Sequence, residues 1–373
     1  MLRDLTIQNY RCFKDFKIDG LARVNLLVGM NNSGKTSLLE AIYLLVNQGN
    51  PRCLSELLDN RGEIILLRRP RTVLSSLLDN NYQILHIFNG HEISVEKTIH
   101  IQSYQEKFLS MKIKLCLTKG EDNFSEDISE EISDIEGSSE PNDSSFELAF
   151  MYEPNIKLTI PVLDDGSIRS RYLQRAKQSQ SHLFSTRLYQ FLTTNKPPFD
   201  ALTSLWDKIT LTPAYDLIVR ALKIIETDVE GFSFTSTQTS NSGILLKLRG
   251  QDEPVPIGSM GDGMRRILTL AMAAVTLKNG VLLVDEIETG LHYEAQTDMW
   301  RLIIEIAQQS NVQVFATTHS WDCISAFQEA LTQSEDNSVG KLFRLSRKSE
   351  NIRAVEYTPD DLSIAVRQSI EVR

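Results

Sequence analysis

Residues 24–36, Val24-Asn-Leu-Leu-Val28-Gly29-Met-Asn-Asn-Ser-Gly34-Lys35-Thr36, decide the fold. An apolar burst (Val24, Leu26, Val28) runs straight into glycine. Beyond it, Leu38, Leu39, Ile42, Leu45 and Val46 fall at helical spacing, so the spacing predicts a loop over 29–34 that joins a buried strand to a helix N-terminus. The loop fits G-x-x-x-x-G-K-[ST], in which glycines let backbone N–H groups curl around phosphate oxygens. Lys35 supplies a point charge, Thr36 offers a hydroxyl to Mg²⁺, and the helix dipole adds positive potential at the same end. The candidate phosphate-binding residues are therefore Gly29, Asn31, Asn32, Ser33, Gly34, Lys35, Thr36 and Ser37. A chance match arises in roughly one chain per hundred of this length, and the strand-loop-helix setting makes it rarer.

A second group of signals lies near the other end of the chain. The pattern there predicts a helix over 266–274, a buried strand over 281–284, a helix over 293–309 and a strand over 312–317. The strand Val281-Leu-Leu-Val284 ends in Asp285 and Glu286. Two acids after a buried strand suit phosphate chemistry, Asp285 holding Mg²⁺ and Glu286 polarising a water. Glu288 needs only a solvated or helix-capping role. His319 ends the strand Phe315-Ala-Thr-Thr, where an imidazole can address a terminal phosphate. Ser259-Met-Gly261-Asp-Gly263-Met-Arg265-Arg266 precedes a helix and forms a second candidate anion nest, through Ser259, Gly261 and Gly263.

The 373 residues give a prior of two or three folding units, and 41% hydrophobic with 24% charged residues fits an ordinary globular chain. Apolar runs such as 64–67 and 281–284 fall far short of the roughly 20 residues of a bilayer crossing. With no basic-then-apolar leader, the expected compartment is the cytoplasm, without membrane contact. The four cysteines, Cys12, Cys53, Cys116 and Cys323, show no C-x-x-C pairing, so neither a disulfide framework nor a zinc cluster is encoded. Lys and Arg number 39 against 49 Asp and Glu, a net charge of −10, yet residues 121–147 alone hold 11 acids and no base. The remainder carries 38 acids against 39 bases, so the acidity is local and does not argue against nucleic-acid contact elsewhere.

These signals divide the chain into an N-terminal lobe (1–50), an inserted α+β region (51–250) and a C-terminal lobe (251–373). The insertion shows strand-like segments at 91–102, 111–117, 148–161, 232–237 and 244–248, and a core-facing helix over 214–227. Its stretch 120–146 is acidic and poor in apolar residues, the composition of a disordered loop.

In their order, the motifs resemble the ATP-binding heads of the ABC superfamily, specifically the RecF/SMC-like branch that includes the overcoming-lysogenization-defect (OLD) nucleases and related AAA-domain ATPases. Gly29–Thr36 matches its Walker A motif, Ser259–Arg266 its signature, Val281–Glu286 its Walker B motif, Leu291-His292 its D-loop and His319 its switch histidine. Asn9-Tyr-Arg-Cys-Phe13 resembles the opening of the same branch. The signature departs from the transporter sequence, the D-loop aspartate of transporters is His292, and Gln83 stands as the Q-loop candidate. The resemblance implies an α/β fold: an ABC-type P-loop NTPase head, a mixed sheet flanked by helices, with a large α+β insertion between Walker A and signature. It also implies Lys35, Glu286 and His319 as catalytic residues, Thr36 and Asp285 as magnesium ligands, and ATP with Mg²⁺ as cofactors.

By the same resemblance two copies would sandwich ATP head to head, with higher oligomers also open. A separately encoded TOPRIM-like nuclease or other effector would be the partner in DNA repair or antiphage defence. No Asp-x-Asp pair occurs in the chain, and 54 residues follow His319, so the acids of a fused TOPRIM module are not evident. DNA contact, if made, falls to Arg169, Arg171, Arg175, Lys177 and Arg187, with Arg68, Arg69 and Arg71. The alternative is a non-hydrolysing, ATP-bound scaffold that holds an oligomer or sequesters a toxin partner.

Overall fold

The computed structural model describes residues 1–48, 50–66, 80–92, 94–95, 97–104, 109–117, 146–152, 156–173, 188–235, 243–349 and 351–373. The acidic stretch, except Phe146, lies outside them, as do Arg68, Arg69, Arg71, Arg175, Lys177 and Arg187. The chain opens with β1 (Asp4–Tyr10), β2 (Phe13–Asp19), β3 (Val24–Val28), α1 (Lys35–Val46) and α2 (Pro51–Arg61). Next come β4 (Ile64–Leu66), β5 (Asn80–Gln83), β6 (Thr98–Ser103), β7 (Leu109–Leu117), β8 (Phe146–Tyr152), β9 (Ile156–Val162), β10 (Ser167–Arg169) and β11 (Tyr189–Leu192). A helical segment follows with α3 (Phe199–Ile209), α4 (Ala214–Lys223), β12 (Val229–Phe234), β13 (Ile244–Leu248), β14 (Val255–Pro256) and α5 (Asp262–Val275). The last third holds β15 (Val281–Val284), α6 (Tyr293–Gln309), β16 (Gln313–Thr317), α7 (Trp321–Thr332), β17 (Gly340–Lys348), β18 (Asn351–Tyr357) and α8 (Pro359–Arg367).

The site is positioned by a six-stranded sheet of order β11-β15-β16-β3-β17-β18, parallel except for β18. Its central strands β15, β16 and β3 are buried at every position because both faces are covered, and their few polar residues, Asn25, Gln313 and Thr317, are buried too. In β3, Leu26 and Val28 face a core shared with α3 to α7, whereas Leu27 belongs to a second core with α1, α2 and the antiparallel sheet. That second sheet runs β2-β1-β6-β7-β8-β9. Three-stranded sheets β10-β5-β4 and β12-β13-β14 complete the fold. The expected class, a mixed sheet flanked by helices, is what this pairing displays.

Strand pairing runs across the residue-50 and residue-250 boundaries. β1 pairs with β6, and β11 forms the edge of the central sheet beside β15. The strand expected over 91–102 starts only at Thr98, and the run 148–161 is a hairpin, β8 with β9. The helix expected over 214–227 ends at Lys223, and the one expected over 266–274 starts earlier, at Asp262. The pattern missed α2, although Leu54, Leu57 and Leu58 form its buried stripe and Asn50 caps it ahead of Pro51.

Gln313 fastens the start of the chain to the central sheet. Its carbonyl accepts from Leu2 N at 2.6 Å, and its amide donates to Leu2 O at 2.8 Å and Ala22 O at 2.9 Å. Buried backbone groups left without these partners are costly. Gln313→Leu is expected to lower the unfolding free energy by about 2–4 kcal/mol, seen as a lower urea midpoint at unchanged slope.

Candidate functional site

The 29–36 loop leaves β3 and enters α1 through two glycines that tolerate no side chain. Gly29 has φ +145, and a Cβ there would lie 2.5 Å from Leu345 O. At Gly34, φ +96, it would meet Cys12 Sγ and the Phe13 ring at 2.9 Å. No side chain caps α1 and no acid sits in its first turn, which leaves the terminal N–H groups for an anion. Lys35 folds back over the loop, its Nζ donating to Gly29 O at 2.8 Å and Met30 O at 3.1 Å. Burial lowers its ammonium to about 8, against the opposing pull of Asp285, Glu286 and Glu288. Asn31 and Asn32 form the exposed crest, while Ser33 is buried with its hydroxyl unpartnered. Ser37 Oγ accepts from Arg61 Nη2 at 3.4 Å.

Parallel pairing of β15, β16 and β3 brings the remaining motifs to the same sheet end. The Thr36 hydroxyl donates to Asp285 Oδ2 at 3.0 Å and Oδ1 at 3.2 Å. Thr317 Oγ1 donates to Asp285 Oδ1 at 2.6 Å and accepts the Glu286 N–H at 2.8 Å. Glu286 adopts φ +46, a left-handed conformation that costs of order 1 kcal/mol or more for a non-glycine residue. Arg266 holds it there: Nη2 donates to Asp285 O at 2.9 Å and Glu286 O at 3.0 Å, and Nη1 to Thr193 O at 3.0 Å. His319 Nε2 lies 3.9 Å from Glu286 Oε1.

Glu288 departs from the expected solvated or capping role. Its Oε1 accepts the His319 N–H at 3.0 Å, and its Oε2 is buried without a partner. The expectation failed because helix periodicity says nothing of a loop acid that faces the next strand. Hard oxygen donors from Thr36 and Asp285 meet at one point, beside a pocket of about 150 Å³ that Thr193, Thr194, Asn195, Arg61 and Glu40 also line. This donor set fits Mg²⁺.

Ser259 lies exposed in a 3-10 turn, Gly261 has φ +85, and a Cβ on Gly263 would lie 2.6 Å from Gly290 O. Among the described residues, no hydrogen bond joins Ser259, Gly261 or Gly263 to the 29–37 loop. Gln83 sits in β5, between β4 and β10, and does not line the pocket at Asp285. Sequence reasoning missed Thr317, Arg266 and the turn 193–195. Only the two threonines before His319 hinted at the first. It also missed the reason for the 9–13 segment: buried Arg11 pairs with Glu40 of α1 and with Glu63, each at 2.7 Å, and Glu40 in turn holds Arg61 at 2.7 Å.

The model of the AAA ATPase domain family matches residues 1–324, including the middle region whose sequence alone carried no recognisable motif. The chain is 23% identical to an ATP/GTP phosphatase of Helicobacter pylori over 97% of both chains. It is also 23% identical to the OLD nuclease of Thermus scotoductus, over 86% of this chain but 59% of that protein. Among solved structures it is similar to an SMC head bound to the C-terminal winged-helix domain of ScpA (TM-score 0.49, 13% identity, 96% of this chain and 97% of the other). The SMC head domain from Thermotoga maritima gives a TM-score of 0.46 at 12% identity, covering 95% and 98%. With a family model spanning all five motifs, the chain belongs to the AAA ATPase domain family.

Proposed function

We propose that this chain binds ATP with Mg²⁺ and hydrolyses it to ADP and phosphate. The observation that carries the reading is the meeting of Thr36 with Asp285, ringed by Thr317, Glu286 and His319. Gly29, Asn31, Asn32, Ser33, Gly34 and Ser37 form the phosphate cradle, and Lys35 neutralises the phosphates with its single charge. Thr36 and Asp285 would hold Mg²⁺, which when bound neutralises charge on the phosphate oxygens. Glu286 accepts a proton from the attacking water, and His319 orients the terminal phosphate. The Helicobacter relative named as an ATP/GTP phosphatase supports this reading over nearly the full length.

We further propose that two copies close around the nucleotide, the exposed Ser259–Gly263 nest of one facing the 29–36 loop of the other. A ligand shared across an interface favours the closed state by its differential affinity. The chain spans 59% of the length of the OLD nuclease it matches, and on that likeness we propose that it acts with a nuclease-type effector in DNA repair or antiphage defence. No described helix is long and apolar enough to cross a membrane, and a cytoplasmic location is proposed on the family reading.

Glu286→Gln is expected to lower kcat by about 10²–10⁴-fold while ATP binding persists, read by phosphate release and by a fluorescent nucleotide. No turnover in the native chain despite firm binding supports the scaffold reading instead. Chelation of Mg²⁺ should abolish turnover. Arg266→Lys, which cannot span three carbonyls, is expected to cost about 2–4 kcal/mol of stability and to lower turnover. Full activity and stability in that variant contradict the role given to Arg266.

A further inference from the structure

His319 leaves β16 on a short connection to α7, and its main chain is held at both ends by side chains from elsewhere. On one side Glu288, two residues past the strained Glu286, accepts the His319 N–H at 3.0 Å. On the other, Arg373 Nη1 donates to His319 O at 2.9 Å. The hydrogen bonds of one residue's own N–H and C=O thus end on an acid and a base, and both backbone dihedrals of the histidine are pinned between them.

The base is itself prepared for the task. After α8 the chain turns at Ser369, φ +53, and Ile370 N returns to Ala365 O at 2.8 Å. Val372 is fully buried in the core shared with α6 and α7, which fixes the backbone beside Arg373. Glu371 then takes Nε and Nη2 of the guanidinium at 2.7 and 2.8 Å, leaving Nη1 for His319. The Arg373 fork, helped by Arg344, pulls the Glu371 carboxyl down to about 2, so the fork stays ionised at neutral pH. Arg373 also lines a pocket of about 350 Å³ with Met30, Asn31, Asn32 and Ser33 of the phosphate loop. It therefore stands between that loop and the histidine.

We propose that Arg373 and Glu288 are positioning residues that clamp the His319 peptide and thereby set the reach of its imidazole to Glu286 and the terminal phosphate. The inference rests on the ATPase reading. Loosening either point lets the imidazole wander, and displacements of about 1 Å at a reacting centre cost up to a hundredfold in rate.

The test is a double-mutant cycle on the full chain. Arg373→Ala and Glu288→Ala are each expected to lower kcat about tenfold to a hundredfold, and Glu288→Gln, which keeps an accepting oxygen, to restore most of the rate. In a His319→Ala background neither alanine should lower kcat further. Equal losses in both backgrounds, or losses confined to KM, overturn the clamp. Hydrogen exchange gives a readout independent of turnover: peptides spanning 317–321 should exchange about tenfold faster in Arg373→Ala and Glu288→Ala at unchanged global stability, and unaltered exchange overturns the clamp. A native chain without turnover sinks the ATPase reading, and exchange alone then decides whether the histidine peptide is held as described.

Discussion

The hydroxyl that opens α1 and the carboxylate that closes β15 lie 249 positions apart in sequence and 3.0 Å apart in space. Everything else at the site serves that contact. Thr317, from the strand between them, donates to the same carboxylate and receives the Glu286 N–H, so one hydroxyl aligns both acids. Arg266 ties the two acid carbonyls to the turn after β11. Without these ties the left-handed Glu286 would relax toward an ordinary conformation and turn its carboxylate elsewhere.

The sheet makes the contact possible because β15, β16 and β3 run parallel and in register, delivering three strand ends to one edge. β15 is apolar throughout, and in β3 and β16 the polar residues Asn25, Gln313 and Thr317 are buried and hydrogen-bonded, because helices and a second sheet cover both faces. The antiparallel sheet adds a separate brace. Its Arg11 reaches into α1 to pair with buried Glu40, a geometry that makes removal of either partner costly because the other would be left buried and unpaired.

That residues 29–36, Asp285, Glu286 and His319 would gather at one place was legible in the sequence because each is a short motif at the end of an apolar strand. The class of fold was legible for the same reason, since alternating strand and helix patterns in the last third admit few other arrangements. The middle was harder. β11 is a four-residue strand whose membership of the central sheet depends on pairing with β15, which no local pattern announces. Gln83 attracted attention by residue type alone and lies in another sheet. Glu288 and Arg373 carry no motif, and Arg266 ends the signature match without a role of its own there; their importance comes from backbone carbonyls and N–H groups that only the folded chain brings near. The signature nest is a different case: among the described residues Ser259, Gly261 and Gly263 make no hydrogen bond to the 29–37 loop of their own chain, so its sequence match has no counterpart in the contacts of one copy.

The central claim is that both ends of the chain grip a single triphosphate and its ion. A crystal structure with magnesium and a non-hydrolysable ATP analogue tests it most directly. The account predicts the triphosphate wrapped by 29–36, with magnesium between Thr36 and Asp285 at the roughly 2.0–2.1 Å typical of oxygen ligands, directly or through one water. A nucleotide bound elsewhere, or a magnesium ion remote from Asp285, would contradict it.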